Sequence, residues 1–449
     1  MVDPVQTPEG GAGQAFAIPL SNGGPDQLMS AAPGPAGSFH VAGFVAQTVT
    51  SARTVVVLRV RADGSLDPSF GTGGMAITPL VFAGGPDEID VAIQGDKAVI
   101  SATIANAGNV DDTDVALVRM TATGTVDSTF GVNGVRVVDL NSAFNNGVQL
   151  LARDAARALA IDDTGRIYLH AASRSNASAT RQDTDFVVVR FTPNGSIDST
   201  WAGGDGKFTL DIAETNASPR SLLALPDGSV IGTGYASTPL VGNTVQPAIY
   251  KLTSAGSPDP AFADLGLFHE PVLAMAAEVY GAARNDANLV VTGYGRDGGT
   301  ANDFLSMRLS TQTGSPDSTY GGAPGGVVLI DPSGASIGSN CRNAIALPGG
   351  RVALIGSTGP SNNPAQDAAY VILSANGALD ATYGSAVQTF AFGTNGADQL
   401  WGGAFNAGKA LFVGYKGAGS SQTAQNNDDA WAVLLSTPDD ILFRNGFDP

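Results

Sequence analysis

Six long polar side chains recur at corresponding positions when the chain is aligned on an internal repeat. Each lies near the start of an apolar run, and the set mixes acids, cations and amides: Gln27, Glu88, Arg220, Glu278, Arg342 and Gln399. Carboxylates beside guanidinium groups can transfer protons or bind a charged substrate. They can equally neutralise one another as ion pairs in a hydrated channel. Arg157 joins the set only if an insertion at Thr164 is ignored.

A second group of chemically capable residues consists of aspartates in polar loops that precede apolar segments. The group comprises Asp111, Asp112, Asp114, Asp183, Asp185, Asp297, Asp303, Asp367, Asp428 and Asp429. Calcium takes several oxygen ligands, so these loops are candidate calcium sites. The regular Asp-x-Asp-x-Asp-Gly spacing is missing, and several of the aspartates recur just before a predicted strand, which favours a structural turn. The sequence predicts no other cofactor.

Signatures of catalysis are missing from the sequence. His40, His170 and His269 fall in different repeat copies without metal-ligand spacing. The single cysteine, Cys341, is expected to be a small buried residue. The chain has no phosphate loop of the Gly-x-x-x-x-Gly-Lys-Ser/Thr type. Five aromatic residues either pack between repeats or form a platform that binds sugars. They are Tyr235, Tyr294, Tyr415, Trp401 and Trp431.

A repeated turn shows how these residues must be positioned. An aspartate followed three residues later by an aromatic recurs at intervals of 58 to 71 residues: Asp67 and Phe70, Asp127 and Phe130, Asp198 and Trp201, Asp259 and Phe262, Asp317 and Tyr320, Asp380 and Tyr383. Asp is a good cap for a short helical turn. We expect the aspartates to pair with Arg59, Arg119, Arg190 and Arg308 and the aromatics to pack between neighbouring repeats. This structural role is favoured over a functional ring of carboxylates.

Each repeat copy predicts four short antiparallel strands joined by turns. The segment from Ala158 to Ile212 is an example, with apolar runs separated by Asp162–Gly165 and Pro193–Gly195 turns. Such a meander is the blade of a β-propeller. The sequence begins with a fourth strand and ends with a third, so we predict an all-β, seven-bladed β-propeller in which residues 15–20 pair with residues 430–434. Six closed blades with a loose terminal segment is the alternative, and an open solenoid is disfavoured.

The repeat resembles the bacterial delta-60 repeat family. The residues that carry the resemblance are Asp185–Arg190 followed by Asn194–Trp201, and Asp63–Gly74. Members of that family are exported, propeller-forming proteins, and the resemblance implies no agreed activity and no catalytic residues. The final residues, Asp440–Asp448, resemble a short tail that closes many exported bacterial proteins; a frayed terminus is the alternative.

These observations bound the domain organisation and the partners. We expect a flexible segment at 1–10, one propeller at 11–437 and a tail at 438–449. The chain has a formal net charge of −18 with only 23 Lys and Arg residues, which disfavours nucleic acid and anionic membranes. No apolar run is long enough to span a membrane.

Two functional interpretations remain. The first is an exported, monomeric interaction scaffold or ligand-binding module that contacts a protein or glycan at the cell surface. The second is a secreted glycan lyase or hydrolase with its site at the channel mouth. In either case the protein is expected outside the cytoplasm, in the periplasm, at the surface or secreted, although the start of the sequence is not a signal peptide.

Overall fold

The computed structural model describes residues 13–21, 23–85, 87–108, 112–141, 153–175, 181, 183–238, 244–285, 287–299, 301–322, 324–359, 366–392, 396–417 and 429–436. The predicted terminal segments at 1–10 and 438–449 lie outside these residues, as do Asp111 and Asp428.

The described residues form an all-β structure of 28 strands. In chain order the first fourteen are β1 (Gln14–Ala17), β2 (Asp26–Pro33), β3 (Phe39–Val45), β4 (Arg53–Val60), β5 (Met75–Phe82), β6 (Ile89–Gln94), β7 (Lys97–Ala105), β8 (Thr113–Met120), β9 (Val135–Val138), β10 (Ala155–Ile161), β11 (Ile167–Arg174), β12 (Thr184–Phe191), β13 (Lys207–Leu210) and β14 (Ala217–Ala224). The remainder are β15 (Val230–Thr238), β16 (Thr244–Leu252), β17 (Leu267–Phe268), β18 (Ala276–Asn285), β19 (Asn288–Arg296), β20 (Asp303–Ser310), β21 (Val327–Ile330), β22 (Ser339–Leu347), β23 (Arg351–Thr358), β24 (Asp367–Leu373), β25 (Val387–Phe390), β26 (Gln399–Asn406), β27 (Lys409–Lys416) and β28 (Asp429–Ser436). The helical segments among the described residues are three-residue 3-10 turns at Pro35–Gly37, Tyr320–Gly322, Pro324–Gly326 and Pro348–Gly350.

The strands pair in antiparallel groups of four. We number these groups as unit 1 (β2–β5), unit 2 (β6–β9), unit 3 (β10–β13), unit 4 (β14–β17), unit 5 (β18–β21), unit 6 (β22–β25) and unit 7 (β26, β27, β28 and β1). Units 1 and 2 share one eight-stranded sheet because Phe82 of β5 pairs with Ile104 of β7. The other units are separate sheets.

The third strand of each unit is buried on both faces, which explains its β-branched and aromatic composition. Val55, Val56, Val57 and Leu58 of β4, for example, are all fully buried. Their side chains point alternately into the core clusters on either side of the sheet. The hydrophobic core is therefore divided among layers between adjacent units.

Unit 7 joins the two ends of the described chain. β1 pairs with β28 in the register Gln14 with Leu434 and Ala17 with Trp431. The side chain of Phe16 is buried, and a Cβ at Gly64 of unit 1 would lie 3.2 Å from its ring. β1 thus completes one sheet and contacts the next.

The repeated turn links units 1, 2, 3 and 5 to their successors through an arginine that also pairs with the turn aspartate. In unit 1, Arg59 Nε donates to Asp67 at 2.8 Å, and the guanidinium carbon lies 5.0 Å from the centre of the buried Phe70 ring. Arg59 also donates to the carbonyl of Ala122 in unit 2 at 2.9 Å. One arginine therefore orders the turn, covers its aromatic residue and holds the adjacent unit.

The same ion pair recurs in the later units. Its members are Arg119 and Asp127, Arg190 and Asp198, Lys251 and Asp259, Arg308 and Asp317, and Arg351 and Asp380. Lysine replaces arginine in unit 4. In unit 6 the cation comes from the second strand, β23, and not from the third. All six turn aromatics, including Tyr383, are buried.

Glycine is required where the next unit contacts the turn aromatic. Gly195 has φ of +84°, and a Cβ there would lie 2.7 Å from the Phe130 ring of the preceding unit. Gly256 is in the same position against Trp201. The backbone amide of Gly131 also donates to the carbonyl of Asn194 at 2.8 Å. Gly195 and Gly256 are therefore both required by backbone conformation and by the close approach of an aromatic ring.

We predict that β1 is an integral part of the folded protein. Phe16→Ala should lower the free energy of unfolding by about 3 kcal/mol, because it leaves a cavity between units 7 and 1. The exposed neighbour Gln14 provides the control Gln14→Ala. Urea denaturation measures both, and a loss below about 1 kcal/mol for Phe16→Ala would contradict the assignment.

The turn aspartates should make stability depend on acidity. Hydrogen bonds from Lys97 and Thr129 hold the pKa of Asp127 well below its ordinary value. Its contribution to folding is thus present above about pH 4 and is lost as the pH falls further. Asp127→Asn should cost about 3 kcal/mol at pH 7 and much less near pH 2. Asp163→Asn, at an exposed site, is the control; equal losses at both pH values would argue against an ion-pair role.

Candidate functional site

The first strand of six units carries a β-bulge at the same place. Each bulge adds one residue that has no partner on the second strand, and the six residues are Met29, Arg157, Arg220, Tyr280, Arg342 and Trp401. A bulge changes the direction of a side chain relative to regular pleating. Unit 2 lacks the bulge, and there Asp87 precedes the strand with φ of +65°.

The bulged residues converge on one cavity. Its volume is about 80 Å³, and all six bulged residues line it together with Asp87 and Asp90 of unit 2. Residues from seven units thus face one small space. Other lining positions carry small or short side chains, among them Ser30, Ala158, Ser221 and Asn343.

Asp87 binds two arginines from different units. Arg157 of unit 3 donates to one carboxylate oxygen at 2.5 Å, and Arg220 of unit 4 donates to the other. Arg157 also lies 3.4 Å from a carboxylate oxygen of Glu88. Arg220 further donates to the hydroxyls of Tyr235 at 2.9 Å and Tyr280 at 3.2 Å. These contacts fix two guanidinium groups at the cavity wall.

Arg342 lies among aromatic rings. Its guanidinium carbon is 4.9 Å from the ring centre of Tyr280, 5.7 Å from that of Tyr294 and 4.6 Å from that of Trp401. Burial raises the pKa of Tyr280 and Tyr294 well above the ordinary tyrosine value, so both hydroxyls are neutral. The Tyr294 hydroxyl donates to Glu278 at 2.7 Å.

Asp90 connects the cavity to three units. Its carboxylate accepts hydrogen bonds from the Ser30 hydroxyl of unit 1 and from the Leu159 amide of unit 3, the latter at 2.6 Å. Burial raises the pKa of Asp90 above its ordinary value. This network holds the inner strands of units 1, 2 and 3 in one arrangement around the cavity.

The structure brings together part of the predicted polar ring. Arg220 and Arg342 line the cavity, and Glu88 borders it through Arg157. Glu278, Gln27 and Gln399 lie two residues before the bulges of their strands. Arg220 and Arg342 are themselves bulged residues, so the two sets lie at different positions along the first strands. Gln399 is fully buried and donates to Gln366 at 2.8 Å, and Gln27 is also fully buried.

Asp87, Tyr280 and Trp401 line the cavity although the sequence does not predict them there. The bulge is invisible to a strict alternation of side chains, and a shift of one residue exchanges the two faces of a strand. A local signal exists nevertheless. Each bulged residue is long or aromatic and is followed directly by a small or short one, as in Arg220-Ser221 and Trp401-Gly402.

Two clusters of three aspartates include predicted loop residues, Asp114 in the first and Asp183 and Asp185 in the second. Carboxylate oxygens of Asp114, Asp139 and Asp154 lie within 4.8 Å of one another, and so do those of Asp183, Asp185 and Asp211. Burial raises the pKa of Asp154 to about 7. In the second group Arg181 binds both Asp183 and Asp211, so this chain supplies its own cation there.

The remaining loop aspartates have other surroundings. Asp112 accepts a hydrogen bond from the Thr113 amide, and Asp297 accepts one from the Ala274 amide. Burial raises the pKa of both Asp303 and Asp367. Asp429 lies 3.9 Å from the Lys416 ammonium.

His40, His170 and the cysteine are packed within the sheets, whereas His269 directly follows β17 and is half-buried. His170 is fully buried, its Nε2 lies 2.9 Å from the Tyr250 hydroxyl, and burial lowers its pKa to about 3. His40 packs edge-on against Phe70. The Cys341 thiol is fully buried, which raises its pKa to about 12, so it is not poised as a nucleophile.

Comparison with known proteins places the fold among β-propellers. A family described as "Domain of unknown function (DUF5122) beta-propeller" matches residues 36–70, 165–200 and 225–262. These segments belong to units 1, 3 and 4 and include five of the twelve repeated turn residues: Asp67, Phe70, Asp198, Asp259 and Phe262. No curated protein matches the chain.

Solved structures that align with the chain are distant in sequence. The β-propeller domain of the Trilobed protease from Pyrococcus furiosus aligns with a TM-score of 0.46 at 8% identity, covering 92% of this chain and 96% of that one. A mutant Trypanosoma rangeli sialidase gives 0.45 at 10% identity, covering 93% and 61%. A putative exo-beta-1,3-galactanase from Bifidobacterium bifidum s17 gives 0.39 at 11%, covering 82% and 91%.

Asp87 should contribute to stability through its two arginines. Asp87→Asn keeps a residue type that tolerates positive φ but removes the charge, and we expect a loss of about 2 kcal/mol or more in the free energy of unfolding. Asp96→Asn, at an exposed position of the same unit, is the matched control. Chemical denaturation measures both variants, and equal stabilities would mean that Asp87 does not hold Arg157 and Arg220.

Proposed function

We propose that the units form a closed seven-bladed propeller. The support is a circuit of contacts between first strands: β2 contacts β6, β6 contacts β10, and the series continues through β14, β18, β22 and β26 back to β2. The pairing of β1 with β28 supports the same closure. Closure protects the edges that an open array of sheets would expose.

We infer that this propeller is a ligand-binding module whose site is the central cavity. The observation that carries the inference is the convergence of bulged side chains from six units on one polar space. A bulge interrupts strand pairing and is often retained where it directs a side chain to a site. The convergent arginines, tyrosines and tryptophan are typical of a recognition site that fixes the orientation of a ligand.

We further propose that the protein acts outside the cytoplasm as a monomer and recognises a protein or a glycan at the cell surface. The resemblance to the delta-60 repeat and to the exported-protein tail supports this location. The excess of acidic residues supports a partner other than nucleic acid. No helix within the described part of the chain has the length and apolar character needed to cross a membrane.

A secreted glycan lyase or hydrolase is the second candidate. The contact that favours it is the hydrogen bond from the Tyr294 hydroxyl to Glu278, close to the Arg342 guanidinium. A carboxylate, a phenol and a cation together can move a proton and stabilise negative charge. In this case the same cavity would bind the reacting end of the glycan.

Binding arrays of neutral glycans, acidic glycans and peptides test the proposed site. Ligands retained by the wild type should bind at least tenfold more weakly to Arg220→Gln and Arg342→Gln, because both variants remove a charged donor from the cavity. The control is Arg61→Gln, which changes an exposed arginine at a turn and should bind these ligands as the wild type does. Unchanged binding by both cavity variants would place the site elsewhere.

The same glycans separate binding from catalysis. Incubation followed by analysis of the products shows whether a bound glycan is cleaved. Cleavage that is lost in Glu278→Gln while binding persists would favour the enzyme. A cleaving activity that survives substitution of Arg220, Glu278 and Arg342 would contradict a catalytic role for the cavity.

A further inference from the structure

We propose that the central cavity binds an oxyanion, such as a carboxylate or sulfate group, and that Arg342 is its principal contact. This inference rests on the proposed ligand-binding function and names the chemical class of the ligand. It follows from the distribution of charge in the cavity, from its hydrogen-bond donors and from its size.

The three cavity arginines are not equally neutralised. Arg157 and Arg220 share the carboxylate of Asp87, and Arg157 is also close to Glu88. Arg342 forms no ion pair among the described residues. Its side chain is nevertheless 93% buried, since only 7% of its surface is exposed. A buried cation without a carboxylate partner is unfavourable in the free protein.

The unused hydrogen-bonding atoms of the cavity residues are all donors. Arg157 Nε, Arg220 Nε, Arg342 Nε and Trp401 Nε1 are buried without a hydrogen-bond partner. Arginine and the tryptophan indole can donate but not accept. No side-chain oxygen of the residues that line the cavity is buried without a hydrogen-bond partner. The missing partner is therefore an acceptor, and the excess positive charge at Arg342 favours a negatively charged one.

Aromatic rings hold Arg342 in place without neutralising it. The faces of Tyr280 and Trp401 lie within 5 Å of the guanidinium carbon, a distance at which cation–π attraction offsets part of the burial cost. These rings contribute no formal charge. The guanidinium group is thus oriented in advance and keeps its charge for a ligand.

The cavity limits the size of the group that it accepts. Its volume of about 80 Å³ is far below the roughly 300 Å³ at which pockets for drug-sized ligands begin. A carboxylate, sulfate or phosphate group fits this space. The ligand is therefore either a small free anion or the acidic end of a longer molecule whose remainder lies outside the cavity.

Acetate and acetamide provide matched probes of charge. They have nearly the same shape, and acetamide is neutral. Titrating each at constant ionic strength, with thermal unfolding and calorimetry as readouts, should show that acetate and sulfate stabilise the wild type more than acetamide does. A comparison of glucuronate with acetate then distinguishes two kinds of ligand. If the natural ligand is the acidic end of a sugar, glucuronate should bind more tightly than acetate. If it is a small free anion, the two should bind equally well.

Three variants connect this effect to the cavity. Arg342→Met should weaken acetate binding at least tenfold, since it removes a charged donor but keeps much of the volume. Trp401→Phe removes one donor and retains a ring, and it should weaken binding severalfold. Asp87→Asn releases two further guanidinium groups and should strengthen binding. The control Arg61→Gln should bind acetate as the wild type does.

The result that overturns the proposal is an acetate effect equal to that of acetamide, or one that Arg342→Met leaves intact. If Arg342→Met fails to fold, Trp401→Phe and Asp87→Asn still give opposite expected changes, and no change in both overturns it. A ligand from the arrays that is neutral and still depends on Arg220 would refute the oxyanion while leaving the central site in place. The experiments can therefore contradict the oxyanion without contradicting the ligand-binding site.

Discussion

The ion pair between an aspartate and an arginine, or a lysine in unit 4, at each repeated turn is the interaction on which the arrangement of the units depends. Arg59 orders its own turn through Asp67 and reaches the Ala122 carbonyl of the next unit. Sheets alone specify the pairing of strands within a unit, whereas this contact sets the position of one unit against another. A small change at each of several successive interfaces would accumulate around the structure. The cavity lies where the first strands of the units contact one another.

One extra residue in the first strand of six units determines which side chains line the cavity. Regular pleating would alternate these side chains between the two faces of the strand. The bulge instead allows Arg157, Arg220 and Arg342 to meet residues from other units. The arrangement includes buried charge and unused donors, which cost stability in the free protein. A local loss of stability in a structure whose turns are otherwise well hydrogen-bonded is typical of a functional site.

The sequence was sufficient for the repeated architecture and insufficient for the cavity. Four-stranded antiparallel units, the pairing of residues near Phe16 with the last strand and the cations beside the turn aspartates all follow from local patterns that recur several times. The cavity depends on a register shift that leaves little trace in hydrophobic alternation. Arg220 and Arg342 were selected because long polar residues stand out in apolar strands, but Trp401 and Tyr280 resemble ordinary packing residues. Asp87 acts through a left-handed backbone conformation and through contacts to distant units, and neither can be seen in its neighbours.

The most direct measurement is a crystal structure of the protein grown with selenate, whose anomalous scattering identifies the anion without ambiguity. We expect a selenium peak in the cavity, with selenate oxygens within hydrogen-bond distance of the Arg342 guanidinium and the Trp401 indole nitrogen. Water alone in the cavity, with selenate bound only at the outer surface of an otherwise unchanged protein, would contradict it.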